Sequence, residues 1–209
     1  HNISKSIWKN TSHIVANSAS LKLLCEKFSP KQKIEMITNG VDTDIFYPSN
    51  KSKTSDTVNL LFISRLSLQK GIEPLIKACG ELKNSGIENY KLTIVGDGPL
   101  KEKMFSLIDE LKIKDKVDFK GWLKLEELPE IYRSSDIFLL PSVMEGMPSV
   151  VLQAMASGLP VIGSKVEGFS EVLEDNVNGF CVEYGNHVNL SKSISKLIKS
   201  KELREEMSK

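Results

Sequence analysis

The sequence is poor in several features that would define a protein class. Of its 209 residues only three are cysteine and three are histidine, aromatic residues make up 7%, and the net charge is +1. The cysteines Cys25, Cys79 and Cys181 are scattered without a Cys-x-x-Cys motif, which favours buried thiols in a reducing compartment over a disulfide framework. The balance of charge removes the electrostatic basis for a dedicated nucleic-acid binder.

Long apolar stretches are also absent. No run approaches the roughly 20 apolar residues that cross a bilayer, and no secretory signal is visible, so we expect a cytoplasmic protein. The histidines His1, His13 and His187 have no His-Glu-x-x-His spacing and no cysteine partner, and the sequence therefore predicts no metal site. The apolar content of 40% excludes a disordered chain.

From residue 57 onward, short apolar runs alternate with stretches of helical periodicity. The apolar runs predict strands at residues 58–63, 92–95, 117–119, 137–140, 161–163 and 180–182. The helical stretches lie at residues 72–83, 100–111, 126–133 and 148–157, with a single closing helix whose apolar face runs over residues 190–203. This alternation predicts an α/β fold with a doubly wound, parallel, Rossmann-like sheet.

The first 48 residues have a different pattern. Short strands at residues 14–16 and 34–37 flank a helix at residues 20–28, for which Ser18 is a plausible N-cap. Two strands and one helix cannot bury a core by themselves. We therefore expect this segment to be the tail of a preceding domain, joined to the rest by a polar linker at residues 48–56.

Ligands of doubly wound sheets bind at the carboxyl ends of the strands, where loops meet helix N-termini. After the first strand of the predicted sheet, Arg65 and Lys70 flank a helix start, at which unpaired amides already favour an anion. This arrangement suits a diphosphate, and the alternative is that both are solvated surface residues. After the second strand, Gly96 and Gly98 permit close backbone approach. No Gly-x-Gly-x-x-Gly follows the first strand, which argues against an NAD enzyme.

The segment after the fourth predicted strand is the most informative one. Gly146, Met147 and Pro148 lie at a helix start, so backbone amides are available to a ligand, and Glu145 immediately precedes them. Gln153 lies about five residues into this helix, roughly 7 Å along its axis, which fits a phosphate at the tip and a sugar hydroxyl farther down. The alternative is an ordinary helix cap with an exposed glutamine.

Together these segments resemble the retaining, nucleotide-sugar-dependent glycosyltransferases of the GT-B fold, family 4. The resemblance covers nearly the whole chain and rests on motifs that occur in order at the predicted loops. They are Asn39-Gly40-Val41-Asp42, Arg65 with Lys70-Gly71, Gly96-Asp97-Gly98-Pro99, Gly121-Trp122, Tyr132-Arg133-Ser134-Ser135-Asp136, Pro141-Ser142, the block at 145–160, Gly168, Glu171 and Asn178-Gly179. The resemblance implies that residues 49–209 form the donor-binding domain and that residues 1–48 are the tail of the acceptor domain with its linker.

The resemblance also implies an activity. It is transfer of a hexosyl or N-acetylhexosaminyl group, with retention, from a nucleotide-diphosphate sugar, expected to be UDP-linked. The partner is a glycan or lipid-linked acceptor in polysaccharide or glycolipid biosynthesis, and no metal or other cofactor is implied. Because the acceptor domain is represented only by its tail, we expect this chain to bind the donor but to transfer poorly.

Roles for single residues follow from the same resemblance. Arg65 and Lys70 would grip the donor diphosphate, and Glu145 would face the transferred sugar. The amides at Gly146, Met147 and Pro148 would meet the distal phosphate. The nucleoside would be held by Gln153 at the ribose and by the Gly121-Trp122 backbone at the base. Gly96 and Gly98 are also expected to be donor-binding, because they permit close backbone approach.

One departure concerns Gln153, where the family pattern has glutamate. A charged hydrogen bond contributes roughly 1.5–3 kcal/mol and a neutral one about 0.5–1.5 kcal/mol, so we expect about tenfold weaker donor binding. Two other functions remain open: a sugar-nucleotide epimerase of GT-B fold, and a non-catalytic nucleotide-sugar-binding module. Lys192, Lys196 and Lys199 indicate either a solvated helix face, which is favoured, or contact with anionic lipid at the inner membrane face.

Overall fold

The structure, a computed structural model, describes residues 8, 10–49 and 56–209. Its first elements are strand β1 (Ile14–Ala16), helix α1 (Ala19–Phe28) and strand β2 (Ile34–Met36). The two strands pair in parallel, with Ile14 opposite Ile34. The Ser18 hydroxyl accepts a hydrogen bond from the Leu21 amide at 3.2 Å, so the predicted N-cap of α1 is confirmed. His1 and most of the predicted linker lie outside the described residues.

Six parallel strands form the second and larger sheet. They are β3 (Val58–Ile63), β4 (Tyr90–Val95), β5 (Val117–Gly121), β6 (Ile137–Leu140), β7 (Val161–Ser164) and β8 (Gly179–Val182). Their spatial order is β5-β4-β3-β6-β7-β8, and every neighbouring pair is parallel. The central strands are buried on both faces, β6 along its entire length, which explains why their sequences are continuous apolar runs.

In the described part of the chain, four α-helices lie between strands of this sheet, and two more follow the last strand. The first four are α2 (Ile72–Asn84), α3 (Lys101–Glu110), α4 (Leu128–Arg133) and α5 (Ser149–Ala156), and the last two are α6 (His187–Lys199) and α7 (Lys201–Met207). The chain moves from β3 to β4 and β5 in one direction and from β6 to β7 in the other. Because parallel crossovers are right-handed, these connections place α2 and α3 on one face and α5 on the opposite face. The doubly wound fold predicted from the sequence is therefore confirmed.

Two helix predictions were wrong in detail. The closing segment is two helices instead of one, because Ser200 adopts an extended conformation and its hydroxyl accepts a hydrogen bond from the Leu203 amide at 3.1 Å. That bond caps α7 and interrupts the apolar pattern that a single helix would continue. The helix predicted from residue 126 begins with a 3₁₀ turn at Leu125–Glu127, and α4 starts only at Leu128.

The core surrounds the central strands. Cys79 lies on α2 and is fully buried, and burial raises the pKa of its thiol to about 12, so this cysteine is a small apolar core residue as predicted. Lys192, Lys196 and Lys199 are exposed on α6. Across the described ranges, every helix is too short or too polar to serve as a membrane span.

Candidate functional site

The loops that follow β3 and β6 meet at the carboxyl edge of the sheet. These two strands are neighbours whose connections lead in opposite directions, which is the switch point at which doubly wound sheets bind ligands. The loops are joined by a hydrogen bond from the Val143 amide to the Gln69 carbonyl at 2.8 Å. Gly71 packs directly on Pro141, because a Cβ atom at Gly71 would lie 1.8 Å from the Pro141 carbonyl oxygen.

This packing brings Lys70 and Glu145 together. The Lys70 Nζ lies 2.8 Å from Glu145 Oε1 and 3.0 Å from Oε2. The Glu145 side chain is only 7% exposed and that of Lys70 is 24% exposed. A carboxylate this deep requires a partner, and Lys70 supplies the compensating charge. A glutamate beside a predicted anion site is therefore electrostatically acceptable here.

Arg65 lies on the same loop as Lys70. Arg65 is exposed, and its guanidinium makes no hydrogen bond or ion pair with any other described residue. The backbone beside it is fixed, since the Leu66 amide donates to the Asp97 carbonyl at 2.9 Å and the Leu66 carbonyl accepts from Leu100 at 3.0 Å. The guanidinium is thus carried on an anchored loop and is available to an anion.

The structure explains why residues 96 and 98 are glycines, which the sequence did not reveal. A Cβ atom at Gly96 would lie 2.0 Å from the Ser64 carbonyl oxygen, and one at Gly98 would lie 2.5 Å from the Leu66 carbonyl oxygen. Both glycines therefore let the loop after β4 pack against the loop that carries Arg65. The sequence predicted that another backbone comes close to these glycines. In the structure, this is the backbone of the neighbouring loop.

The start of α5 presents unpaired backbone donors. Among the described residues, the amides of Gly146, Met147, Ser149 and Val150 donate no hydrogen bond. Pro148 lies between them and has no N–H. Free amides at a helix N-terminus, together with the helix dipole, favour an anion. Glu145 immediately precedes this cluster and pairs with Lys70, so charged side chains and free amides share one edge of the sheet.

Gln153 is half-buried one turn into α5, and its amide oxygen has a partner. The Tyr132 hydroxyl lies 3.1 Å from Gln153 Oε1 and 3.0 Å from the Val150 carbonyl oxygen. Tyr132 is fully buried, and burial raises the pKa of its phenol, so the hydroxyl is a donor at neutral pH. The bond leaves the Gln153 NH₂ group for other contacts.

Gly121 and Trp122 lie at the end of β5. The Gly121 carbonyl accepts a hydrogen bond from the Gly96 amide at 2.7 Å, which ties this turn to the loop after β4. Trp122 is 80% exposed. An exposed aromatic ring beside a fixed turn is suited to stacking on a planar ligand.

The described residues contain no cluster of three potential metal ligands. His13 pairs with Glu35 at 2.6 Å, and His187 lies 3.7 Å from Glu81. The prediction that the site works without a metal stays a prediction.

Sequence reasoning assigned no role to Tyr132 or to Asn39, although both occur in the motifs that carry the resemblance. Tyr132 contacts Gln153 from α4, and the Asn39 side chain donates to the Met147 carbonyl at 2.6 Å. Both contacts join residues far apart in the chain. Only their position in ordered motifs pointed to them.

Comparison with known proteins identifies the family of this chain. The family described as "Glycosyl transferases group 1" matches residues 42–209. The chain belongs to this family. Its fold is that of the GT-B glycosyltransferases, and membership supports a transferase activity. An uncharacterised glycosyltransferase of Methanocaldococcus jannaschii, MJ1607, is 31% identical over 205 residues, which cover 92% of this chain and 52% of that protein.

Relatives of this chain include proteins named for polysaccharide biosynthesis. The putative colanic acid biosynthesis glycosyltransferase WcaL of Escherichia coli K12 is 31% identical over 159 residues, covering 73% of this chain and 39% of WcaL. A point mutant of S. aureus TarM, solved with fondaparinux, α-GlcNAc-glycerol and UDP, superposes with a TM-score of 0.83 at 23% identity, covering 94% of this chain and 38% of TarM. The chain therefore spans about half, or less, of the length of these proteins.

Proposed function

We propose that this chain is the donor-binding half of a retaining glycosyltransferase. The donor is a nucleotide-diphosphate sugar, UDP-linked, carrying a hexosyl or N-acetylhexosaminyl group. The acceptor is a glycan or a lipid-linked glycan in polysaccharide or glycolipid biosynthesis. The observation that carries the proposal is the Lys70–Glu145 pair beside the free amides that begin α5.

The chemistry of transfer explains this arrangement. When the bond between the anomeric carbon and the leaving phosphate breaks, the sugar becomes oxocarbenium-like and negative charge grows on the nucleoside diphosphate. Fixed cations and amides at that position stabilise the transition state more than the ground state. Lys70, Arg65 and the amides of the α5 start supply this charge stabilisation from the chain's own residues.

Glu145 has two roles in this mechanism. In the ligand-free chain its carboxylate holds the Lys70 amine within 3.0 Å, which fixes the cation at the mouth of the site. With donor bound, the carboxylate accepts hydrogen bonds from sugar hydroxyls and stays paired with the Lys70 amine, whose remaining N–H group donates to the phosphate. Positioning of the sugar, and not covalent attack, is the role that we assign to Glu145.

We place the nucleoside-binding part of the site at the same carboxyl edge of the sheet. Gln153 binds the ribose through its side-chain amide, whose oxygen accepts from Tyr132 and keeps a second lone pair for a ribose hydroxyl. The turn at Gly121 and Trp122 holds the base. UDP in the crystal of the similar TarM protein supports a uridine nucleotide as the first choice.

Residues 1–48 are proposed to be the tail of the acceptor domain with its linker, and residues 49–209 the donor-binding domain. The described part of the first segment forms its own two-stranded sheet, separate from the larger one. Its strands β1 and β2 carry exposed apolar side chains, Val15 and Met36 among them. This exposure is expected if the two strands belong to a larger sheet whose other elements would cover them. Transfer by the 209-residue chain is accordingly expected to be weak.

Calorimetric titration of this chain with UDP, GDP and ADP tests the donor proposal. We expect UDP to bind most tightly and Lys70→Met to weaken UDP binding roughly tenfold to hundredfold, because a charge-assisted hydrogen bond contributes about 1.5–3 kcal/mol. The matched control is Lys116→Met: its side chain is 16% exposed and pairs with Glu88 at 3.4 Å, but at the amino edge of the sheet. A chain that binds none of the three nucleotides, or equal loss in both variants, contradicts the proposal.

A non-catalytic nucleotide-sugar-binding module is the second candidate, and the neutral Gln153 favours it. Glu145→Gln in the full-length protein separates the two. For a transferase we expect transfer to fall by about 100-fold or more, the size of loss typical of a contact made in the transition state. Unchanged transfer would assign the chain to the module class.

A further inference from the structure

The loop before α5 is held by a residue from the N-terminal segment. Asn39 follows β2, and its Nδ2 donates to the Met147 carbonyl oxygen at 2.6 Å and lies 3.4 Å from the Ser149 hydroxyl oxygen. Asn39 is half-buried at this contact. The bond crosses 108 positions of the chain and joins the first structural unit to the candidate site.

The peptide between Met147 and Pro148 is the centre of the free amide cluster. It separates the amides of Gly146 and Met147 from those of Ser149 and Val150. Pro148 occupies the N-cap position, where its side chain makes no capping hydrogen bond. The helix start thus lacks the local cap that serine, threonine or aspartate provides elsewhere. The bond from Asn39 fixes the orientation of this peptide from outside the helix.

Other contacts leave the loop little room to move. A Cβ atom at Gly146 would lie 2.6 Å from Leu21 Cδ1 and 2.7 Å from Asn17 Oδ1, both in the N-terminal unit. A Cβ atom at Gly168 would lie 2.0 Å from the Gly146 carbonyl oxygen. The backbone is enclosed on these two sides, and Asn39 ties it to the segment after β2.

We propose that Asn39 is a positioning residue for the distal phosphate of the donor. By holding the Met147 carbonyl, it keeps the free amides on either side of Pro148 directed at one phosphate group. Asn39 acts through the loop and does not itself touch the donor. This inference rests on the proposed donor-binding function. It means that a residue of the segment before residue 48 increases the affinity of the chain for the donor.

The test compares a nucleoside diphosphate with its monophosphate. The 209-residue chain is titrated with UDP and UMP, or with the GDP or ADP pair if that diphosphate binds best. We expect Asn39→Ala to weaken diphosphate binding about fivefold to twentyfold, the effect of one hydrogen bond of about 1–1.8 kcal/mol, and to leave monophosphate binding within twofold. The isosteric Asn39→Asp keeps the packing, loses the donor, and is expected to weaken diphosphate binding at least as much.

Asn178→Ala is the matched control, because the Asn178 side chain also donates to a backbone carbonyl, that of Val172 at 2.9 Å, outside the site. It is expected to leave the ratio of diphosphate to monophosphate affinity unchanged. Equal weakening of both nucleotides by the Asn39 variants indicates a purely structural role and overturns the inference. So does unchanged diphosphate binding. Failure of the wild-type chain to bind any of the nucleotides would instead overturn the proposed function.

Discussion

Gln153 is the residue at which this chain departs most clearly from the pattern that it otherwise follows. We predict that Gln153→Glu strengthens UDP binding about tenfold, because a carboxylate accepts from ribose hydroxyls more strongly than an amide does. The Tyr132 hydroxyl remains able to donate to the new side chain. Calorimetry with UDP measures the change. Gln32→Glu, which adds the same charge in the N-terminal unit, serves as the control, and equal affinity for wild type and Gln153→Glu would contradict a ribose contact.

The sequence predicted the position of some site residues but not their contact partners. Arg65, Lys70 and Glu145 were selected because each follows a predicted strand, and the carboxyl ends of parallel strands share one edge. The ion pair between Lys70 and Glu145 was not predicted, since 75 positions separate the two residues and only the packed sheet brings them within 2.8 Å. Local pattern locates a residue on an edge, whereas its partner depends on the neighbouring loop.

Among the structural elements, the 3₁₀ turn at Leu68–Lys70 ends in a glycine that supports the site. Gly71 has a φ of +71°, and a Cβ atom there would collide with the Pro141 carbonyl oxygen. We predict that Gly71→Ala destabilises the chain by roughly 3–5 kcal/mol, the sum of the left-handed backbone cost and the displacement of a packed loop. Chemical denaturation measures the loss.

The control for this substitution comes from the chain itself. Gly86 also has a φ of +71°, but a Cβ atom there has no described neighbour within 4 Å. Gly86→Ala is therefore expected to cost only about 1–2 kcal/mol, the backbone component alone. Equal losses at both positions would show that the contact of Gly71 with Pro141 does not stabilise the junction of the two loops.

The closing helices mark the limit of element prediction. The apolar residues from Leu190 to Leu203 follow helical spacing, and their burial was predicted correctly for Leu190, Ile194, Leu197 and Ile198. The break at Ser200 was missed because serine tolerates both a helix interior and an N-cap. Only the direction in which α7 packs decides between these two conformations.

At the scale of the whole molecule, Glu171 joins the N-terminal unit to the larger sheet. Its carboxylate accepts hydrogen bonds from the amides of Ala19 at 3.0 Å and Ser20 at 3.3 Å, the first residues of α1. We predict that Glu171→Gln accelerates hydrogen exchange of these two amides about twofold to fivefold, since a carboxylate at a helix N-terminus contributes about 0.3–1 kcal/mol. Amides of β3 and β6 should exchange at unchanged rates.

Glu174→Gln provides the comparison, because Glu174 is an exposed glutamate close by in the same segment. It removes one negative charge without removing a contact to α1. If both variants accelerate exchange in α1 equally, the effect is one of overall charge and Glu171 does not hold the two units together.

The sequence by itself determined the layer structure, the strand positions, the family, and the edge of the sheet on which the candidate residues Arg65, Lys70 and Glu145 lie. Each of these follows from local periodicity or from ordered motifs, which require no knowledge of distant contacts. The tertiary structure alone decided which residues meet: Lys70 with Glu145, Tyr132 with Gln153, Asn39 with Met147 and Glu171 with α1. These contacts depend on the spatial order of the strands in the sheet and on glycines that let neighbouring loops touch. Neither can be inferred from any single segment of the chain.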